Sequence, residues 1–360
     1  MMEAERILRK AARGERLGMD EAATLYAEAD FFSLGQAAHS VRLGKHPDPV
    51  VTYVVDRNIN YSNICVCGCR FCAFFRAPDQ EGSYVLTREE LTRKIEETLE
   101  LGGTQILMQG GHHPTLPLSF YEDILRFIKD RFPIHIHAFS PPEIVHFAGL
   151  GGLDVGTVIA RLRAAGLDSI PGGGAEILVD SVRKAVSPNK CSAAQWLEVM
   201  EEAHRQGMHT TATMMFGHEE EPHHRLEHLM ALRELQDRTG GFTAFIPWAF
   251  QPANTAIRRP PETAVSYLRL LAVSRLVLDN FDNVQASWVT MGPKVAQLAL
   301  RFGANDFGST MIEENVVAAA GVHFRLSVWE IRRIIESAGF KPRQRTMAYQ
   351  LVEDSYRDNP

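Results

Sequence analysis

Residues 63–76 read NICVCGCRFCAFFR, and they hold four of the chain's five cysteines: Cys65, Cys67, Cys69 and Cys72. Thiols crowded in this way cannot form a secreted disulfide framework, whose partners are spread through a small fold. Cys65, Cys69 and Cys72 have the spacing C-x3-C-x2-C. A structural zinc site takes four ligands, usually as two C-x2-C pairs far apart, and the sequence has no second pair. Three thiolates suit instead a 4Fe-4S cluster in which one iron lacks a protein ligand and stays open to a substrate or cofactor. Cys67 falls inside the gap, where C-x-C-x-C leaves little room for a cluster edge. It is expected to be a loop thiol pointing away; a fourth ligand in another register is the alternative. Cys191, alone beside a helix start, reads as an ordinary thiol.

The 360-residue chain suits one large domain or two smaller ones, and 45% hydrophobic with 23% charged residues is the balance of a soluble globular protein. A net charge of −6 argues against nucleic acid or an anionic membrane as a partner. No apolar run reaches bilayer length, and Met1 to Arg16 is charged and helix-like, unlike a signal peptide. The expected location is cytoplasmic.

Upstream and downstream of the cysteines, β-branched or apolar runs alternate with amphipathic stretches. The expected strands are Val51–Val55, Thr104–Met108, Ile134–Ala138, Ser169–Pro171, Thr210–Met215, Phe242–Trp248, Val284–Val289 and Asp306–Met311. Thr87 with Glu90, Ser119 with Glu122, Ser140 with Glu143 and Ser192 with Gln195 fit capping boxes, and Gly102, Gly166, Gly207 and Gly339 sit where helices should stop. Eight strands alternating with helices predict a parallel (β/α)8 barrel, with a six-unit partial barrel and separate C-terminal piece as the alternative. Residues 1–46 read as helices before the barrel, capping its bottom. Residues 47–322 form the barrel, and 323–360 a helix (Val328–Ser337) with a polar tail, EDSYRDNP, expected to fray. The cysteine loop follows the first strand, on the face where such barrels carry their chemistry.

Other strand ends carry polar or glycine-rich stretches. MQGGHHP (108–114) ends the second strand, where Gly110 and Gly111 allow a close backbone approach or a tight turn. IHIHAFSPPE puts His135 and His137 on one face of the third strand, two histidines with no third ligand for a metal. SIPGGGAEILVD follows the fourth, without the order of a dinucleotide fingerprint; its Glu176 could be a helix-start acid. Met214, Met215, Trp248 and Phe250 read first as core. GANDFGSTMIEEN supplies Asp306, Thr310, Glu313 and Glu314, of which Asp306 and Glu313 are carried as general-base candidates.

C-x3-C-x2-C after the first strand of a β/α barrel, with Phe71 before the last cysteine, resembles the radical S-adenosylmethionine superfamily. The resemblance implies a TIM-type barrel of that kind, one 4Fe-4S cluster on Cys65, Cys69 and Cys72, and S-adenosylmethionine on the open iron. It further implies contacts to the cofactor from Gly110, Gly111 and Glu176, with Phe71, Phe74 and Phe75 shielding it from water; Ser140, at the end of the third strand, is a candidate polar contact as well as a helix cap. His112 stands where that family has an acidic residue after the glycines, which puts a contact there in doubt. Over residues 45–325 the wording, including HIHAFSPPE and FIPWAFQP, resembles the dehypoxanthine futalosine cyclases of menaquinone biosynthesis. Aminofutalosine synthases and the F0 synthase subunits are the sister families. The cyclase resemblance implies hydrogen abstraction from the ribose C4′ of dehypoxanthine futalosine and addition of that carbon to the benzoate ring. It also implies an electron donor such as a flavodoxin or ferredoxin. Arg258, Arg259, Arg301 and Lys294 are candidates for the substrate carboxylate. A non-catalytic iron–sulfur carrier is the reading from another class, though a carrier usually ligates every iron with protein.

Overall fold

The computed structural model describes residues 2–353. The segment before the cysteines is one extended run in two halves, β1 (Val50–Val54) and β2 (Asp56–Asn60). Then come β3 (Gln105–Gln109), β4 (His135–Ala138), β5 (Ser169–Ile170), β6 (His209–Phe216), β7 (Phe242–Ala249), β8 (Asn283–Val284), β9 (Asp306–Ser309) and β10 (Lys341–Gln344). β2 to β8 form a curled parallel sheet in chain order. The wall continues through β9, which meets β8 where Asn305 N–H donates to Val284 C=O (3.1 Å) and Ala286 N–H to Asp306 C=O (2.9 Å). On its other side β9 pairs in parallel with β1. Counting β1 and β2 as one strand, eight strands surround one interior, as the alternation predicts.

Three departures matter for the site. The first strand runs on past Val55 through Asp-Arg-Asn-Ile-Asn, all of it buried. Alternation points Asp56, Asn58 and Asn60 to one face, so that face of the barrel is polar and no apolar period marks it. At β8 only Asn283–Val284 is β; Trp288 and Val289, expected in that strand, lie in the short helix Trp288–Met291. The bottom of the barrel is closed by the C-terminal segment, not by the N-terminal helices. β10 pairs with β1, and Arg345, Met347 and Tyr349 line the floor of the interior. The helices Met19–Glu28 and Phe31–Lys45 pack outside, against the helices Pro222–Thr239 and Ala264–Val277, and Met2–Ala12 packs on those two. The main apolar core runs from Ala4 to Phe340.

The helix signals hold with one exception. Thr87 with Glu90 and Ser192 with Gln195 form reciprocal boxes. Gly102, Gly166, Gly207 and Gly339 sit at φ 79°, 117°, 79° and 83°, beyond their helix ends. Ser119 caps nothing: the helix Leu118–Lys129 starts behind Pro117, and Glu122 instead accepts from Arg161 Nε (2.7 Å). The expected C-terminal helix is Val328–Ser337. Of the tail, residues 354–360 lie outside the described residues. Among the described residues no single helix is long and apolar enough to cross a membrane.

Candidate active site

The cysteine loop leaves the top of β2 and is pressed onto the end of β3. Gly111 N–H donates to Ser62 C=O (2.8 Å), Val66 N–H to His112 C=O (3.1 Å) and Cys65 N–H to Arg76 C=O (3.0 Å). A Cβ on Gly110 would lie 2.4 Å from the Tyr61 ring, and one on Gly111 2.1 Å from the Ile64 carbonyl oxygen. Only glycine fits either place. The pair therefore serves the loop's packing as well as leaving backbone open. The buried carboxylate of Glu143 ties these parts together. It accepts from Gly110 N–H (3.0 Å), Tyr61 O–H (2.8 Å), Ser140 N–H (2.8 Å) and Ser140 O–H (2.6 Å). The sequence showed Glu143 only as half of a capping box; its second job depends on Tyr61 and Gly110, far away in the chain.

Cys67 corrects its expectation. It is buried, with Sγ 3.0 Å from His112 Nδ1 and 3.8 Å from the Asn189 carbonyl oxygen, and it lies among the other thiols. Its hydrogen bonding holds Cys65 down to about 6 and lowers Cys69, whereas burial raises Cys72. Burial pushes His112 down to about 3, so it is neutral and can accept from the Cys67 thiol. Among the described residues no three His, Cys, Asp or Glu side chains converge on a single metal ion. The donor set fits a cluster, whose thiolates bind different irons, and a cation stands by. Lys190 Nζ lies 5.1 Å from the Phe71 ring centroid, and the thiols Cys69 and Cys67 with Glu176 raise its pKa against burial. Phe71 leans on a small apolar group, Val186, Met215, Phe250 and Ile257, while Phe74 sits edge-on to Tyr84 at 6.5 Å.

Glu176 is no helix-start acid. It has a left-handed backbone (φ 41°), is buried, and accepts from Lys190 Nζ (2.9 Å) and Arg183 Nη1 (3.4 Å). A non-glycine residue in that region is strained and is held there by its surroundings. Burial alone would raise its pKa, but Lys190 and Arg183 outweigh that and keep it below the usual carboxylate range. A lowered folded pKa adds stability above the unfolded value that is lost as pH falls through the folded one. Glu176→Gln should therefore lose roughly 1.5–3 kcal/mol at neutral pH, the worth of hydrogen bonds to charged groups. The gap to the unchanged protein should close on acidification. Urea midpoints at several pH values check this; a gap that persists in acid would mean that the charge is not what counts.

Below the loop lies a chamber of about 260 Å³ inside the barrel. Its wall mixes apolar side chains, Leu107, Ile246, Trp248, Trp288 and Val289, with the amides of Asn58, Gln105, Gln109 and Gln285. Asp56 opens onto it, held by Gln105 Nε2 (2.7 Å) and the Ser309 hydroxyl, and burial pushes its carboxyl up. Asn58 Oδ1 and Gln105 Oε1 are buried acceptors without a protein partner. Buried acceptors are seldom left unpaired, so both call for donors from a bound molecule.

The two base candidates are not free. Asp306 is fully buried and accepts from Arg345 Nε (2.5 Å) and Nη2 (2.9 Å) and from Thr52 Oγ1 (2.5 Å). Glu313 is off the chamber wall, clasped by Lys94 Nζ (2.6 and 2.5 Å) with Arg57 at 3.6 Å. The wall carries Asp56 and Glu314 in their place; burial raises Glu314, whose carboxylate caps the amides of Val316, Val317 and Ala318. Arg258, Arg259, Arg301 and Lys294 are also off the wall; the cation on it is Arg345. Nothing local marked Arg345, since it comes from the segment beneath the barrel.

Comparison with known proteins fits this geometry. Residues 59–232 match the Radical SAM superfamily and residues 239–357 the CofH/MqnC C-terminal region. The chain is 48% identical to a cyclic dehypoxanthine futalosine synthase of Halalkalibacterium halodurans, over 98% of this chain and 95% of that one. It is 41% identical to a 5-amino-6-(D-ribitylamino)uracil–L-tyrosine 4-hydroxyphenyl transferase of Methanopyrus kandleri, over 93% and 94%. The fold is shared with the FeFe-hydrogenase maturase HydG from Carboxydothermus hydrogenoformans (TM-score 0.76, 19% identity, 97% of this chain and 81% of that one). The thiol loop, the glycines packed beneath it and near-full-length identity to the synthases agree: the chain belongs to the radical SAM superfamily and, within it, to the family of the cyclic dehypoxanthine futalosine synthases.

Proposed function

We propose that the chamber carries out the reaction of that family, closing dehypoxanthine futalosine into its cyclic form for menaquinone biosynthesis. The observation that carries the reading is the mixed wall of the chamber, which presents both apolar side chains and amides. Tryptophan and aliphatic side chains offer a flat aryl group a dry surface, and the orphan acceptors Asn58 Oδ1 and Gln105 Oε1 suit sugar hydroxyls. The family's cofactors are one 4Fe-4S cluster and S-adenosylmethionine; when bound, they would supply an electron and a 5′-deoxyadenosyl radical. Cys65, Cys69 and Cys72 would hold the cluster. Gly110, Gly111, Ser140, Glu176, Phe71 and Phe74 are proposed around S-adenosylmethionine, Glu176 by sharing its charge between Lys190 and the cofactor's polar groups.

The chain's own work is positional. Folding the aryl ring over the ribose inside a dry cavity replaces a costly encounter by a held geometry. Arg345 is the cation proposed to face the substrate carboxylate, and Asp56 and Glu314 take the place of Asp306 and Glu313 as base candidates. The cluster would take its reducing electron from an external donor. We assign that role to a flavodoxin or ferredoxin. Reconstituted and reduced without oxygen, the protein given S-adenosylmethionine and dehypoxanthine futalosine should yield a cyclised product and 5′-deoxyadenosine in equal amounts. A product that carries the adenosyl group would contradict the reading.

A further inference from the structure

Two histidines singled out by the sequence have no part in the site described so far. His135 and His137 alternate onto one face of β4, and the Ser169 hydroxyl on β5 bridges them. His137 Nδ1 lies 2.7 Å from Ser169 Oγ, and His135 Nε2 lies 2.7 Å from the same oxygen. One end of this row is in the chamber: His137 lines its wall, with Nε2 3.5 Å from Thr211 Oγ1. The other end reaches water. His135 is one-third exposed at the bottom of the barrel, with Nδ1 4.0 Å from Asp168 Oδ2, which is equally exposed and accepts from Lys129 Nζ (2.5 Å).

We propose that His137, Ser169 and His135 are a proton relay between the reaction chamber and solvent at the bottom of the barrel. A proton accepted at His137 Nε2 releases the one on Nδ1 to Ser169 Oγ. The hydroxyl gives its own proton to His135 Nε2, and His135 Nδ1 gives one up toward Asp168 or water. No group gains or loses a proton overall. Burial holds His137 at about 3, helped by His135 and Arg345, and burial also lowers His135 despite Asp168. Both rings are therefore neutral at rest, each with a free lone pair, as a relay requires. Such a row is hard to explain as packing, since barrel interiors are normally filled by layers of branched apolar side chains.

The proposal rests on the reading above. Ring closure there frees one electron and one proton when the aryl ring regains aromaticity: the electron passes to the oxidised flavodoxin or ferredoxin of that reading, and the proton is left deep in the chamber. Hydrogen abstraction needs no relay; release of that proton does. In the reconstituted enzyme, His135→Ala should leave single-turnover formation of 5′-deoxyadenosine unchanged and slow the cyclised product by about 100-fold or more, the usual scale of a lost proton transfer. Because His135 is the solvent end, added imidazole should restore much of the rate. Ser169→Ala should show the same split without imidazole rescue, and Ser169→Thr should keep the relay. Equal loss of 5′-deoxyadenosine and product, or His135→Ala turnover that is undiminished or indifferent to imidazole, would overturn it.

A substrate-free measurement separates this idea from the choice of substrate. In the ligand-free protein, nitrogen NMR of labelled histidine should show both imidazoles changing tautomer balance on Ser169→Ala. Perturbation of one ring alone would overturn the relay whatever the substrate proves to be. Both rings responding while dehypoxanthine futalosine is not consumed would uphold the relay and count against the substrate.

Discussion

Changing Cys65, Cys69 or Cys72 singly to Ala is expected to abolish the visible absorption of the anaerobically reconstituted protein, and turnover with it. In a 4Fe-4S cluster held by three thiolates each binds a different iron, and two are too few to retain a cluster with an open iron. The loop is already shaped for this work. Gly110 and Gly111 back it without room for a Cβ, Glu143 holds Gly110 in place, and Lys190 stands beside the thiols. Cys67→Ala is expected to keep iron and absorption, because the Cys67 thiol has protein partners of its own in His112 and the Asn189 carbonyl. Iron content and spectra of the four variants decide it. A Cys67→Ala protein as empty as the other three would put the ligand register wrong.

Arg345→Met is expected to destabilise the fold by about 3–5 kcal/mol, the usual result of leaving a buried charge without its partner. Arg345 holds Asp306 by two hydrogen bonds, and Asp306 has no exposure to water. The pair joins the first residue of β9 to the segment beneath the barrel, so its loss loosens the floor of the chamber as well. The double change Arg345→Met with Asp306→Leu should recover much of the loss, since an apolar pair leaves no orphan charge. Urea unfolding of the single and double variants measures both effects. A single variant within 1 kcal/mol of the unchanged protein would mean that Asp306 finds water or another donor.

The contrast between these two sites shows what the sequence could reveal. The cysteine loop was legible because thiol spacing is local and its chemistry demands few alternatives. The barrel was legible because most strands carry apolar runs between well-capped helices. β2 was not, since its interior face is polar and Asp-Arg-Asn-Ile-Asn has no apolar period. β8 was drawn too long because Trp288 and Val289 look like strand residues, although Trp288 turns into a short helix and donates its indole N–H to Ser309 C=O (2.9 Å). Asp306 and Glu313 looked like bases because their partners, Arg345 and Lys94, lie 39 and 219 residues away. Distant pairing of this kind leaves no local trace. For the same reason nothing in the sequence marks Arg345 as a residue of the chamber wall, and nothing shows that Arg258, Arg259, Arg301 and Lys294 lie off it.

Hydrogen transfer from C4′ of the ribose is the step on which the functional reading turns, and it can be seen directly. With deuterium at C4′ of dehypoxanthine futalosine, the reduced enzyme should release 5′-deoxyadenosine that carries the label, together with a cyclised product that has lost it. Unlabelled 5′-deoxyadenosine during full turnover, or an adenosyl group found in the product, would contradict the reading and place the reaction with the sister families.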